Sequence, residues 1–488
     1  MIVSFIYSSS TGVGKLLYLL VLLKKERSFG VKEEKLTRSL SARHIQMIAL
    51  GGTIGVGLFM GASSTIRWTG PSVMVAYAVA GFFLYLIMRA LGEMLYIDPS
   101  TGSFANYASD YIHPVAGYLT AWSNIFQFVV VGISEVIAVG EYMNYWWPHL
   151  PTIVPGIVVI LFLTLANLVS VKAFGELEFW FSLIKVGTII LMILVGLGVI
   201  LFGFGNHGQE VGISNLWKNG GFFTGGLKGF FFALSIVVAS YQGIELIGMA
   251  AGEAANPKKT IIEAVQSTIG RILIFYIGAI FIIVSIYPWN QLGTIGSPFV
   301  QTFSKVGITF AAGLINFVVL TAALSGCNSG IFSASRMIYT LAINGKMSKK
   351  FLKLTSHGVP FYPVVAISSG IFIGLILNYL LPLFVAHTED LFVFVYSSSI
   401  LPGMVPWVVI LLSEIKFRKQ HQEEMKTHPF KMPFSPYTNY LSLLFLALVL
   451  IFMMINPETR IPLIIGFVFL GYMTIHYFVR EGRLKKKA

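Results

Sequence analysis

The chain has 488 residues, 56% of them hydrophobic and 11% charged, with a mean hydropathy of +0.78. Soluble domains carry roughly 25% charged residues, so the composition excludes one and points to an integral membrane protein. A net charge of +13 fits basic cytoplasmic loops better than a nucleic-acid surface, and the single cysteine, Cys327, excludes an intramolecular disulfide or a multi-cysteine metal site.

The first thirty residues fit a membrane span poorly. The apolar run Leu16 to Leu23 is too short to cross a bilayer, and no small-residue cleavage site follows it. The stretch STGVGK fails the phosphate-loop pattern, because Leu16 follows Lys15 and position 9 is not glycine. Lys25-Glu26-Arg27 can be encoded by a ribosome-binding sequence and Val31 by GTG. Residues 1–30 are therefore expected to be a leader upstream of the true start, with 31–43 a cytoplasmic N-terminal segment.

Twelve apolar runs of about 20 residues follow. They lie near 44–66, 70–96, 114–147, 152–171, 176–203, 226–250, 265–289, 308–340, 361–382, 388–412, 437–455 and 461–480. With the N-terminus inside, 24 Lys and Arg fall in cytoplasmic segments and five outside: Arg67, Lys218, Lys228, Lys305 and Arg460. That bias fixes the orientation under the positive-inside rule and puts both termini in the cytoplasm.

The first span carries five glycines between Gly51 and Gly61. Two readings are open. Gly51-x-x-x-Gly55 and Gly57-x-x-x-Gly61 are small-residue faces that let membrane helices approach closely; alternatively, the helix is broken at its centre. A dinucleotide fingerprint is not met, since no strand precedes the glycines and position 60 is methionine. The broken reading gains from the sixth span, VASYQGIELIGMAAGEAANP, which holds Gly243, Gly248, Gly252 and the acid Glu245. Spans five apart run antiparallel, as two inverted five-helix repeats require, and paired glycine-interrupted spans point to a transporter's binding site.

Unsatisfied backbone groups cost several kcal/mol in hydrocarbon, so unwinding is tolerated where it lines a buried cavity. Amides freed at a half-helix N-terminus suit a carboxylate. Carbonyls freed at the opposing C-terminus suit an ammonium. An α-amino acid carries both groups one carbon apart. Thr53, Ile54, Gly55 and Gly57 in the first break, and Ser240, Tyr241 and Gly243 in the second, are thus candidate substrate contacts. Tyr241 reads either as an aromatic lid or as plain packing.

Six stretches are then familiar: RHIQMIALGGTIGVGLFMG, MRALGEM, GSFANYASDYI, VKAFGELEFWFSLIKV, YQGIELIGMAAGEAANP and NSGIFSASRMIY. Together they resemble the bacterial amino acid permeases, within the amino acid–polyamine–organocation superfamily, from about Leu36 to Arg480. The resemblance implies an all-α membrane fold of twelve helices. A first repeat at 44–203 and an inverted second at 226–412 would precede two further helices at 437–480 and a basic tail at 481–488. It also implies proton-driven uptake or exchange of amino acids, with no cofactor.

Charges inside spans cost at least about 2.5–3.5 kcal/mol on insertion scales and are functional suspects. Glu135 reads as a contact for the substrate ammonium or as a partner of a base across the bundle. Lys185 lies about ten residues into span five, roughly 15 Å deep at 1.5 Å per residue. It matches the lysine that the family places where sodium-driven relatives bind sodium, so proton coupling and structural pairing with a carboxylate are both open. Glu245 matches the family's acid beneath the substrate, a gate or proton-responsive group; alternatively it binds backbone amides left by the unwinding. Ser325 and Asn328 in span eight and Ser397 and Ser398 in span ten either join the pocket or bond their own helices. Arg89 and Arg336 are expected to snorkel to the cytoplasmic surface, and NGKMSKKFLKLTSHGVP reads as a basic cytoplasmic segment.

The expected protein is a plasma-membrane carrier whose partners are an amino acid, protons and the lipid bilayer, with no nucleic acid and no enzymatic activity. No acid or base for a charged side chain stands out, which favours a small neutral substrate. The phrases RHIQMIALGG and INFVVLT resemble the alanine, serine and glycine permeases, including those that accept D-isomers. An aromatic or other neutral amino acid permease, or an exchanger, is the alternative. A channel or a membrane-embedded enzyme is the reading from another class.

Overall fold

The computed structural model describes residues 40–52, 54–99, 102–204, 208–251, 253, 257–292, 299–300, 309–380 and 391–485. The expected leader 1–30 and Thr53 lie outside the described residues. Among these residues the chain is all-helical, apart from one isolated bridge between Leu354 and Pro360. The described helices belong to a unit running from Arg38 to Ala488.

The first apolar run forms three pieces: α1 (Ala42–Gly51), α2 (Val56–Phe59) and α3 (Gly61–Thr69). After these come α4 (Val73–Ile97), α5 (Pro114–Met143), α6 (Ile153–Val169) and α7 (Val171–Phe202). The sixth run divides into α8 (Gly226–Ala239) and α9 (Leu246–Ala251), and α10 (Pro257–Ile286), α11 (Thr309–Ile343) and α12 (Phe361–Leu380) follow. The tenth divides into α13 (Leu391–Ser397) and α14 (Ile400–Gln420), ahead of α15 (Tyr437–Ile455) and α16 (Pro457–Lys485). Among the described residues, eight stretches are long and apolar enough to cross a membrane, and Ile153–Val169, Gly226–Ala239 and Leu273–Ile286 are shorter apolar helices.

Local chemistry sets the ends. Ser170 caps α7, its hydroxyl accepting from the Ala173 amide at 3.0 Å, one of the orphan donors of a helix start. Gly203 ends the same helix in the left-handed conformation, φ 66°, which glycine adopts without a Cβ penalty. Helices α5 and α11 pack along each other, as do α4 with α10 and α1 with α7. The core formed by these contacts includes buried polar side chains.

Both expected breaks are present. Gly55 is extended, φ −119° and ψ −161°, between α1 and α2. From Ser240 to Glu245 the chain leaves the α-helix for short turns, with Gln242 N donating to Ala239 O at 2.9 Å and Leu246 N to Gly243 O at 3.0 Å. Three-residue turns keep buried amides paired where the longer helical bond is lost.

Two expectations are corrected. The tenth run was expected to be one helix, yet it breaks at Ser398 and Ser399. Pro402 has no amide to continue the ladder, and the Ser399 carbonyl accepts from the Gln242 side chain at 3.0 Å as well as from Gly403 N. Arg336 does not snorkel. It is 1% exposed, paired with Glu253 at 2.9 Å and stacked over the Phe332 ring at 3.8 Å. An opposite charge within reach holds the guanidinium inside.

Candidate functional site

A cavity of about 20 Å³ lies where the two breaks meet. Gly52, Gly55 and Gly57 form its wall from the first break, and Ser240 and Gln242 its wall from the second. Phe128, Val131 and Glu135 of α5 close another side, with Gly326 of α11 and Tyr396 of α13. Its volume suits a water molecule, so a larger ligand requires the surrounding helices to move apart.

Glu135 is the carboxylate in this wall, and it is 2% exposed. Its Oε1 accepts from the Val56 amide at 3.3 Å, at the start of α2, while Oε2 has no partner among the described residues. Leaving a buried carboxylate oxygen unmatched costs about 1–3 kcal/mol or more. Two glycines make room for this group: a Cβ on Gly55 would stand 2.5 Å from Oε1, and one on Gly326 2.3 Å from it. A larger residue at either position would push the Glu135 carboxylate from its present place.

The remaining wall is held by short polar links. Ser240 donates to the Gly57 carbonyl at 2.9 Å, and the Tyr396 hydroxyl donates to the Ala239 carbonyl at 2.9 Å. Gln242 and Ser399 exchange two hydrogen bonds, Nε2 to the Ser399 carbonyl at 3.0 Å and the Ser399 hydroxyl to Oε1 at 2.8 Å. The second and third breaks are thereby joined.

Glu245 lies outside this wall. Its Oε1 accepts from Gln127 Nε2 at 2.9 Å, and its Oε2 from Trp407 Nε1 at 3.1 Å and from the Gly243 amide at 3.2 Å. Three neutral donors, on α5, α14 and the break, converge on one carboxylate. Gly243 turns there with φ 98°, which brings its own amide round to the acid two residues on.

Lys185 occupies a separate cluster behind the first break. Its ammonium donates to the Gly51 carbonyl, to the Ile54 carbonyl at 3.1 Å and to the Ser325 hydroxyl at 2.8 Å. All three donors are used. Ser325 in turn donates to Glu178, whose other oxygen accepts from Asn328 Nδ2 at 3.3 Å. Asn328 accepts from Asn167 at 2.8 Å.

Of the expected contacts, the structure brings Gly55, Gly57, Glu135 and Ser240 together in the cavity wall. Ile54 is buried beside it and engages Lys185 through its carbonyl. Asn328 belongs to the lysine cluster. Ser397 is buried with no partner for its hydroxyl among the described residues and outside the wall. Tyr241 stacks on Tyr276 with ring centroids 4.6 Å apart and donates to the Tyr77 carbonyl at 3.1 Å, an aromatic packing role. Gln242, Tyr396, Phe128 and Glu178 were not anticipated. Glu178 was legible: it is a charge inside span five, seven residues before Lys185 and so on the same helix face.

Comparison with known proteins follows the same lines. The family model for "Amino acid permease" matches residues 44–486. The "Probable threonine/serine transporter" of Bacillus subtilis is 61% identical over 446 residues, covering 91% of this chain and 95% of its own. An amino-acid permease of the same organism is 43% identical, covering 93% and 97%. Among solved structures, a manganese transporter of Eremococcus coleocola superposes with a TM-score of 0.59 at 10% identity, covering 89% of this chain and 92% of that one. At that identity the likeness is one of fold alone.

Proposed function

The chain belongs to the amino acid permease family, as a multi-pass membrane transporter and not an enzyme, and from that premise we propose proton-driven uptake of small neutral amino acids, threonine and serine foremost. The observation that carries the reading is the cavity between the two breaks with the free Oε2 of Glu135 in its wall. An ammonium supplies what that oxygen lacks. The substrate carboxylate then takes the Val56 amide, displacing Glu135 Oε1 from it. Ser240, Gln242 and Tyr396 give the wall polar groups suited to a side-chain hydroxyl, and Phe128 and Val131 suit its methyl. The name of the 61% identical relative supports the same substrate class.

Twelve spans in two inverted repeats, with both termini cytoplasmic, are the arrangement that the antiparallel breaks and the charge bias favour. One group of helices rocks against the rest, enlarging the cavity to one side and then the other. Lys185 holds the carbonyls of Gly51 and Ile54 while it is charged and relaxes its grip once its proton is lost. Glu245 braces the second break through Gln127 and Trp407. The test is uptake of labelled amino acids into proteoliposomes with and without an inside-alkaline pH gradient. Concentrative threonine or serine uptake that collapses with a protonophore is expected. Counterflow that ignores the gradient would make the protein an exchanger.

A further inference from the structure

We propose that Glu178 is a second proton seat of the coupling machinery and that the Ser325 hydroxyl relays the proton to it from Lys185. The proposal rests on the proton-coupled reading above and extends it to a residue with no part in the substrate cavity.

Lys185 and Glu178 are both 0% exposed and both on α7. Seven residues at 1.5 Å separate them by about 10 Å along the axis, too far for a direct ion pair on one straight helix. Ser325, from α11, fills the gap. A lysine ammonium can only donate and an ionised carboxylate can only accept. The hydroxyl between them therefore has one orientation: it accepts from Lys185 Nζ at 2.8 Å and donates to Glu178 Oε1. Asn328, fixed by Asn167, holds the other carboxylate oxygen. The result is a continuous wire, N–H to O–H to carboxylate, inside the protein.

A proton moves along it without any further reactant. One N–H bond of Lys185 breaks as an O–H bond forms on Ser325, while the original Ser325 O–H breaks and a new one forms on Glu178. Ser325 ends as it began; the ion pair becomes an amine and a carboxylic acid. The exchange removes two buried charges that are costly to keep from water, and this gain offsets the intrinsic preference of the proton for the amine. Among the described residues, the other acidic group facing the pair is Glu135 of α5. Glu178 precedes Lys185 on a helix that enters from the cytoplasm under the charge bias, so the wire leads inward. A proton that leaves Lys185 this way leaves a neutral amine, whose two remaining N–H groups hold the Gly51 and Ile54 carbonyls more weakly as the site opens to the cytoplasm.

The experiment compares wild type, Glu178→Gln, Ser325→Ala and Ser325→Thr in proteoliposomes. It reads accumulation driven by a pH gradient against counterflow at equal pH, which needs no net proton. Glu178→Gln and Ser325→Ala are expected to lose accumulation while counterflow persists at a reduced rate. Ser325→Thr, which keeps the hydroxyl, is expected to recover accumulation. If Glu178→Gln fails to fold, the Ser325 pair decides on the same criterion. Accumulation at the wild-type level in Glu178→Gln or Ser325→Ala overturns the relay and leaves the proton-coupled reading intact. A wild type that shows counterflow but no gradient-driven accumulation overturns both.

Discussion

A Cβ on Gly243 would stand 2.6 Å from the carbonyl oxygen of Gly52. The two breaks touch there through backbone, with the Leu246 side chain packed beside both glycines. This contact explains Gly243: the unwound segments cross at a distance that a side chain there would block, and the cavity opens beside the crossing. The same segment supplies the Gly243 amide that binds Glu245, so close approach and backbone direction are set at one residue.

Gly243→Ala is therefore expected to abolish transport. A non-glycine residue at φ 98° costs about 1–3 kcal/mol in strain, and the methyl would overlap the Gly52 carbonyl as well. Gly187→Ala is the control, because a Cβ there meets nothing within 4 Å. Uptake and thermal melting in detergent should both fall for the first variant and stay at wild-type values for the second.

The buried pair of Arg336 and Glu253 makes a second prediction. Arg336→Met alone leaves an unpaired carboxylate in the interior, and breaking such a pair costs about 3–5 kcal/mol. A double variant, Arg336→Met with Glu253→Leu, should recover most of the melting temperature. A double variant no more stable than the single one would show that other partners of the arginine, such as Ser335, carry the effect.

His428, in the loop after α14, ties that loop to the end of α4. Its Nε2 meets the Glu93 carbonyl at 3.0 Å, and its Nδ1 accepts from the Phe430 amide at 3.0 Å. Burial holds the imidazole below its ordinary value of 6.5, with Lys431 and Arg418 adding to the shift and Glu93 opposing it. The unfolded chain then takes up this proton first as pH falls. The contribution of His428 is complete above about pH 6.5 and is lost progressively below it. Melting temperatures of wild type and His428→Gln, followed from pH 8 to 5, should converge as the pH drops. A constant difference would contradict this.

The helices were legible because apolar runs of bilayer length leave little choice of structure. Glu135 and Lys185 were legible because a charge inside such a run demands a reason. The third break was not, because no glycine stands at Ser398 and Ser399, and Gly403 comes four residues further on, inside α14. Ser399 is held out of the helix by its pairing with Gln242, 157 positions away in sequence. Tyr396 escaped for a similar reason: its partner, the Ala239 carbonyl, is left with a short turn bond from Gln242 N because the sixth span breaks there. Arg336 looked like a surface charge from its position near a span end. Only the packing of Glu253 beside it shows otherwise.

The central claim is that the substrate ammonium sits against Glu135 in the cavity between the breaks. Its most direct test is equilibrium binding of labelled threonine to the purified wild type and to Glu135→Gln, which keeps the shape and removes the charge. Losing the partner of a buried charge costs about 2–5 kcal/mol, so affinity should fall about thirtyfold or more, with serine following the same pattern. Equal affinity in the two proteins would contradict the account and place the ammonium elsewhere.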